Sequence, residues 1–230
     1  MFKDCNTIKW QIGGIMPDLK TDVIGVPGCE CVSNAYVYGL KNSIRGAKFP
    51  MSVNLDKVTD ELTDGIKALA KTRPGEGHDQ WLTGVVVQMD LTFTNKAWVE
   101  AERYSNLKFI SSSSTMHRIT KFDLDKSYND YVDPRVIEIM KEKVDSFNND
   151  FPKMSSSTDQ IEEFRDRYLE ILYTNPAGFK LTARMSTNYR QLKIIYNQRK
   201  DHRLPEWRQF CKWIESLPFS YLITGKEAES

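Results

Sequence analysis

The sequence has few of the residues that mark the common classes of metalloprotein, secreted protein and membrane protein. Its four cysteines and three histidines are scattered, without a C-x-x-C pair or the spacing of a zinc site. No apolar run approaches the roughly 20 residues that cross a bilayer, and no basic stretch followed by an apolar core opens the chain. We therefore expect reduced thiols, no bound metal and a soluble cytoplasmic protein.

An excess of charge of one sign is also absent. Lys and Arg together number 32 against 31 for Asp and Glu, which leaves a formal net charge of +1. Nucleic acids and anionic membrane surfaces are bound through clustered positive charge, so this balance predicts neither as a partner. Any anionic ligand must be held by local charge.

The hydrophobic pattern predicts one α+β domain over residues 1–230, with an antiparallel or mixed sheet and helices packed on it. Residues 1–53 are rich in Gly, Pro and Asn and predict short strands and turns, whereas residues 54–230 predict a sheet strand and several helices. The segment WLTGVVVQMDLTF alternates with the period of a half-exposed strand. Helices are predicted to start at Asn54, Asn95, Asp133, Ser157 or Thr158, Asn188 and Pro205.

Three groups of polar residues are not explained by this pattern. His78 lies in a loop before the strand, where it is either a ligand contact or an incidental surface residue. The segment ISSSSTMHR, with His117 and Arg118, is either a flexible tether or a source of donors for a phosphate. Arg199 ends the helix face that starts at Asn188, where a cation either favours the helix dipole or meets an anionic ligand.

Taken in order, these segments resemble the flavin-dependent thymidylate synthases. The Gly-His-Asp sequence at 77–79 is similar to the family's Gly-His-Glu before a strand. The segment TNYRQLKIIYNQRKDH is similar to its Asn-x-Arg helix, with a second Arg nine residues after the first and then a turn with Asp and His. Arg103 matches the first residue of the family's Arg-His-Arg, whereas Tyr104 and Ser105 occupy the next two positions.

The resemblance implies an FAD-dependent enzyme that transfers a one-carbon unit from methylenetetrahydrofolate to C5 of dUMP, with NADPH as reductant. It implies a homotetramer with sites between subunits, and a catalytic role for Arg199. The residues implied at the nucleotide are Ser113, Ser114, His117, Arg118, Arg190 and Arg199. Those implied at FAD are His78, Arg103, Asn188 and His202. Two alternatives are a different C5 outcome, such as hydroxymethylation, and a non-catalytic nucleotide-binding or assembly protein that kept the fold.

Overall fold

A five-stranded sheet forms the centre of the protein in the computed structural model, which describes residues 22–73, 76–151 and 157–226. The strands are β1 (Val23–Val26), β2 (Val32–Tyr38), β3 (Val86–Thr94), β4 (Lys108–Ser112) and β5 (Lys180–Asn188). Their spatial order is β1-β2-β3-β5-β4, and every neighbouring pair is antiparallel. The predicted α+β class with an antiparallel sheet is confirmed.

Helices connect and cover the strands. Those in the described part of the chain are α1 (Leu40–Ala47), α2 (Asp64–Lys71), α3 (Asn95–Ala101), α4 (Thr115–Arg118), α5 (Pro134–Asp150), α6 (Thr158–Thr174), α7 (Tyr189–Arg199), α8 (Pro205–Ile214) and α9 (Tyr221–Thr224). Within the same residues, none of them is long and apolar enough to cross a membrane.

The central ladder joins β3 to β5. It runs without a break from Val86 opposite Asn188 to Thr94 opposite Lys180. Successive β3 side chains alternate between a buried and a partly exposed face, as the period of a strand requires. The buried face carries Val87, Met89, Leu91 and Phe93.

The buried side chains fall into two hydrophobic clusters. The larger one lies between the inner face of the sheet and helices α7 and α8, with Trp207 and Phe210 packed edge-on against Phe93. The smaller one fills the space between α5, α6 and residues 119–128, around Phe147 and Phe179. Leu181 packs against both clusters, so the start of β5 joins them.

Short-range chemistry sets the helix starts. Asp133 accepts a hydrogen bond from the backbone N–H of Arg135 at 2.9 Å and is followed by a proline, as predicted for α5. The helix predicted from Asn95 is present, but its cap is Thr94, whose hydroxyl accepts from the N–H of Ala97 at 3.3 Å. Asn95 is instead the first helical residue.

Two predicted helical or turn regions differ in the structure. The helix predicted from Asn54 begins only at Asp64, as α2. The Asn54 side chain caps a single 3₁₀ turn, Leu55–Lys57, which does not continue into the helix. Residues 40–47, predicted as strand or turn, form α1, which buries Leu40 and Ile44 one turn apart. Its start needs Gly39, which has φ 73 and whose Cβ would lie 2.7 Å from a backbone oxygen.

Two strands were not predicted. The serine-rich segment contains β4, which pairs with β5 at the sheet edge. Strand β5 itself shows alternation in KLTARMSTN, with Ala183 and Met185 buried and Arg184 on the opposite face. Arg184 forms an ion pair with Asp90 on β3 at 3.2 Å, which fixes the polar face of the ladder.

Candidate functional site

A cleft of about 580 Å³ lies at the end of the sheet where β3 finishes and β5 begins. The segment 122–131 and the first turn of α8 form its walls. The polar side chains of this sheet-end cleft include Ser113, Lys126, Lys180, Thr182 and Glu206. Its size falls within the range of small-molecule sites, about 300 to 1,000 Å³.

Ser113 is positioned by β5. Its backbone N–H donates to the carbonyl of Thr182 at 2.9 Å. Its hydroxyl donates to the same carbonyl at 3.2 Å and accepts from the N–H of Thr182 at 3.2 Å. Ser114 follows at the start of α4, half-buried. The Ser113 hydroxyl is therefore held in a fixed place, and its single O–H must leave the Thr182 carbonyl before it can donate to a ligand in the cleft.

Two lysines line the sheet-end cleft together with the carboxylates of Glu30, Asp130 and Glu206, so any attraction for an anion comes from one lysine and not from the cleft as a whole. Lys126 is exposed and pairs with Asp123 at 2.8 Å. Lys180 lies opposite Thr94 in the ladder. Its ammonium group forms no ion pair with any described residue. An unpaired ammonium beside hydroxyl groups is suited to an anionic group such as a phosphate.

Glu206 adds a buried carboxylate to the wall of the sheet-end cleft. Only 8% of the residue is exposed, and its Oε1 atom accepts a hydrogen bond from the Thr94 hydroxyl at 2.6 Å. Its Oε2 atom is buried and has no partner among the described residues. No sequence pattern predicts this role, because a glutamate after a helix-starting proline is an ordinary partner of the helix dipole.

Arg199 lies in a buried network at the end of α7. Its Nε atom donates to the Tyr104 hydroxyl at 2.7 Å, and Nη1 donates to Glu100 Oε2 at 2.8 Å. The guanidinium also lies 4.9 Å from the ring centre of Trp207. His202 joins the network, with Nε2 at 2.7 Å from Arg199 Nη1 and 3.3 Å from the Glu100 carboxylate.

A second buried charge cluster lies at the start of α7. Asp79 is fully buried and accepts from Arg190 Nε at 2.9 Å and from Lys193 Nζ at 3.0 Å. Lys193 also donates to the carbonyls of Ala70 and Thr72, which end α2. The cluster therefore ties three segments together, and Arg190 has a structural partner.

His78 is exposed beside this cluster and lines a cavity of about 630 Å³. Trp81 and Met51 also line it, and the indole N–H of Trp81 is buried without a partner among residues 22–73, 76–151 and 157–226. Asn188 lies nearby at the end of β5, where its side chain accepts from the N–H of Gln191 at 2.9 Å and caps α7. The helix predicted to start at Asn188 is therefore present, with Asn188 as its cap.

The remaining predicted residues lie elsewhere. Arg103 is exposed in the turn after α3. His117 and Arg118 are exposed in the last turn of α4 and line a separate cavity of about 490 Å³ beside the α5 and α6 aromatic side chains. No group of three His, Cys, Asp or Glu side chains in the described segments could hold a metal ion.

The predicted nucleotide and flavin residues do not form one group within the chain. Ser113 is bound to Thr182, which is six residues from Asn188 along β5. At about 3.3 Å per residue, these points are roughly 20 Å apart. His78, Arg190 and Asn188 thus gather at one end of the sheet, and Ser113 and Ser114 at the other.

Comparison with known proteins identifies the fold. No protein-family model and no curated protein matches the sequence. The flavin dependent thymidylate synthase ThyX from Helicobacter pylori, solved with FAD and dUMP, is similar with a TM-score of 0.58 at 13% identity, over 88% of this chain and 97% of that one. The fold is ThyX-like. A second H. pylori ThyX structure with FAD and dUMP gives a TM-score of 0.60 at 12% identity, over 85% and 97%.

Proposed function

We propose that this protein binds dUMP and, with FAD, NADPH and methylenetetrahydrofolate, transfers a one-carbon unit to C5 of the nucleotide. The ThyX-like fold supports the reaction class, since both similar structures hold FAD and dUMP. The observation that carries the proposal is the sheet-end cleft, which presents Ser113, implied by the resemblance at the phosphate, beside an unpaired Lys180. Ser114 is a further proposed nucleotide contact. His117 and Arg118 line the separate cavity beside α5 and α6, so their contact with the nucleotide stays a prediction.

FAD is proposed to bind in the cavity beside His78. The cavity has the volume of a ligand site, and the buried indole N–H of Trp81 offers a donor that no described side chain uses. His78 and Asn188 would hold the cofactor from one side of this cavity. Arg103, in the turn after α3, and His202, beyond the end of α7, are the further proposed FAD contacts. When bound, FAD supplies the carrier for the one-carbon unit and the hydride.

Arg199 is proposed to stabilise the negative charge that develops on the uracil ring. In the structure its guanidinium is engaged by Glu100 and Tyr104. It reaches a nucleotide only if these contacts are exchanged for contacts to the ligand. Arg190, proposed to bind the nucleotide, must likewise exchange its contact with Asp79. The catalytic role of Arg199 stays a prediction.

We infer a homo-oligomer, with a tetramer as the proposed state, and the separation of the two groups supports it. Ser113 and Asn188 lie roughly 20 Å apart along β5, and different copies that supply the two groups would bring one nucleotide and one flavin into contact. Light scattering tests this directly. A stable 26.6 kDa monomer at micromolar concentration contradicts the proposed site.

Calorimetric titration of dUMP tests the nucleotide part. Lys180→Ala should weaken binding roughly 10 to 150-fold, because a charge-assisted hydrogen bond contributes about 1.5 to 3 kcal/mol. Lys108→Ala, which removes an exposed lysine from the far end of β4, is the matched control and should leave the affinity unchanged. Parent protein that binds no dUMP refutes the proposal.

A second candidate is a nucleotide-binding or assembly protein that does not use flavin. The specific observation in its favour is Tyr104, which stands where the family has a flavin-contacting histidine and is buried as a partner of Arg199. The visible spectrum after addition and removal of excess FAD separates the two candidates. Retained yellow colour supports the enzyme, and dUMP binding without retained flavin supports the second candidate.

A further inference from the structure

We propose that Cys29 and Cys31 are a redox-active dithiol that forms an intramolecular disulfide by exchange with a small-molecule disulfide such as oxidised glutathione. The two Sγ atoms lie 3.5 Å apart. Cys29 is exposed, whereas Cys31 is 4% exposed and lines the sheet-end cleft. The inference does not depend on the proposed function, because it concerns the thiols alone.

A tight turn between β1 and β2 holds the pair. The N–H of Cys29 donates to the carbonyl of Val32 at 2.8 Å, and the N–H of Val32 donates back at 3.3 Å. Glu30 and Cys31 are therefore the two central residues of a closed turn. Gly28 is required beside it, because a Cβ there would lie 2.4 Å from the carbonyl oxygen of Val32.

Three contacts from two elements, β3 and α8, keep the turn in place. The N–H of Thr92 on β3 donates to the carbonyl of Cys31 at 2.9 Å. From α8, Gln209 donates to the Glu30 carboxylate at 2.8 Å, and Trp213 donates to the carbonyl of Pro27 at 3.0 Å. Disulfide formation has to bring the two sulfurs from 3.5 Å to the bonded distance of about 2.0 Å within this ordered turn.

The environment assigns the order of the chemical steps. Burial raises the pKa of the Cys31 thiol, and the neighbouring Cys29 raises it further. The exposed Cys29 thiolate is therefore the group that attacks the small disulfide, forming a mixed disulfide and releasing one small thiol. Cys31 then loses its proton and attacks the Cys29 sulfur, which breaks the mixed disulfide and releases the second small thiol.

The exchange balances without any other reactant. Two protein thiols are oxidised to one disulfide, and one small disulfide is reduced to two thiols, which take up the two protons lost by the cysteines. The attack by Cys31 is favoured because its sulfur is held next to that of Cys29, so the mixed disulfide is short-lived.

The test counts free thiols in the full-length chain. The protein is equilibrated with mixtures of reduced and oxidised glutathione, quenched in acid, alkylated under denaturing conditions and weighed by mass spectrometry. Of the four cysteines, two should become protected together as the mixture becomes more oxidising, and peptide mapping should join Cys29 to Cys31. Cys29→Ser and Cys31→Ser should each abolish the double protection.

Cys211→Ser is the matched control, because Cys211 is buried in α8 and should not take part. This variant should keep the double protection at the same glutathione ratio. Four alkylated cysteines in the most oxidising mixture overturn the inference. A disulfide between two chains, or one that joins Cys29 to a cysteine other than Cys31, overturns it as well.

Discussion

Replacement of Arg199 by alanine distinguishes a structural guanidinium from a ligand contact. In the structure Arg199 is 8% exposed and donates hydrogen bonds to Tyr104 and Glu100. Alanine would leave the Glu100 carboxylate and the Tyr104 hydroxyl without this partner. It would also remove the cation that packs against the Trp207 ring. We therefore expect a loss of global stability before any loss of function is considered.

The size of the expected stability loss follows from how deeply the ion pair between Arg199 and Glu100 is buried. Removing one partner of a fully buried ion pair costs about 3 to 5 kcal/mol. Glu100 is 21% exposed on its side chain and has Lys96 at 3.8 Å, so water and a second cation offset part of that cost. We expect Arg199→Ala to lower the free energy of unfolding by about 2 to 4 kcal/mol. For a chain of this size, this corresponds to a fall in Tm of roughly 5 to 15 °C.

Urea denaturation of the parent, Arg199→Ala and Arg199→Lys measures this cost. Lysine should recover only part of the stability, because an ammonium lacks the planar fork and stacks less well on the aromatic ring. Arg203→Ala, which removes an exposed arginine four residues later, is the control and should change stability by less than about 0.5 kcal/mol. A cost below about 1 kcal/mol for Arg199→Ala, together with lost dUMP binding, refutes the structural argument.

Three further predictions concern stability. Asp79→Ala should lower the free energy of unfolding by about 3 to 5 kcal/mol, measured in urea, because it leaves the buried Lys193 ammonium without its carboxylate. Asn188→Ala should cost about 1 kcal/mol through the lost α7 cap, and Asn188→Asp should retain it; only a further effect on FAD binding would indicate a cofactor contact. The hydrogen bond from Lys226 lowers the pKa of Glu215 below its ordinary value of 4.5. The ionised Glu215 carboxylate therefore stabilises the folded protein above pH 4.5, and this stabilisation is lost as the pH falls through the pKa of Glu215 in the folded state. The free energy of unfolding of Glu215→Gln, measured against pH, should not show this decrease at acid pH. Identical pH profiles for the parent and the variant would contradict the prediction.

The sequence predicted those elements in which side-chain period and capping agree. Strand β3 alternates clearly, and α5 starts with Asp133 and a proline, so both were found. Strand β5 was not predicted because its alternating residues include small and polar side chains such as Thr187, which weaken the hydrophobic pattern. Strand β4 was missed because serine has low strand propensity, and it is stabilised there by pairing with β5.

The site was harder to predict than the fold because the partners of its residues are distant in sequence. Arg199 looks like a helix-terminal cation, and only tertiary structure brings Glu100 to it from α3. Asp79 was read as part of a loop motif, whereas it is the buried acceptor for Arg190 and Lys193. Such pairings link residues separated by about a hundred positions, which neither periodicity nor capping reports.

The central β3 and β5 ladder also determines when the sheet can form. About 85 residues separate the two strands, so the ladder cannot close until most of the chain has been synthesised. Residues that are in contact between α5 and α6 are closer in sequence than those of the β3 and β5 ladder. We therefore expect the helix pair to form first and to shorten the loop that connects β3 to β5. Until β5 arrives, one edge of β3 has no strand beside it. The nascent chain is therefore most exposed to aggregation in that interval, and refolding should be limited by the pairing of these two strands.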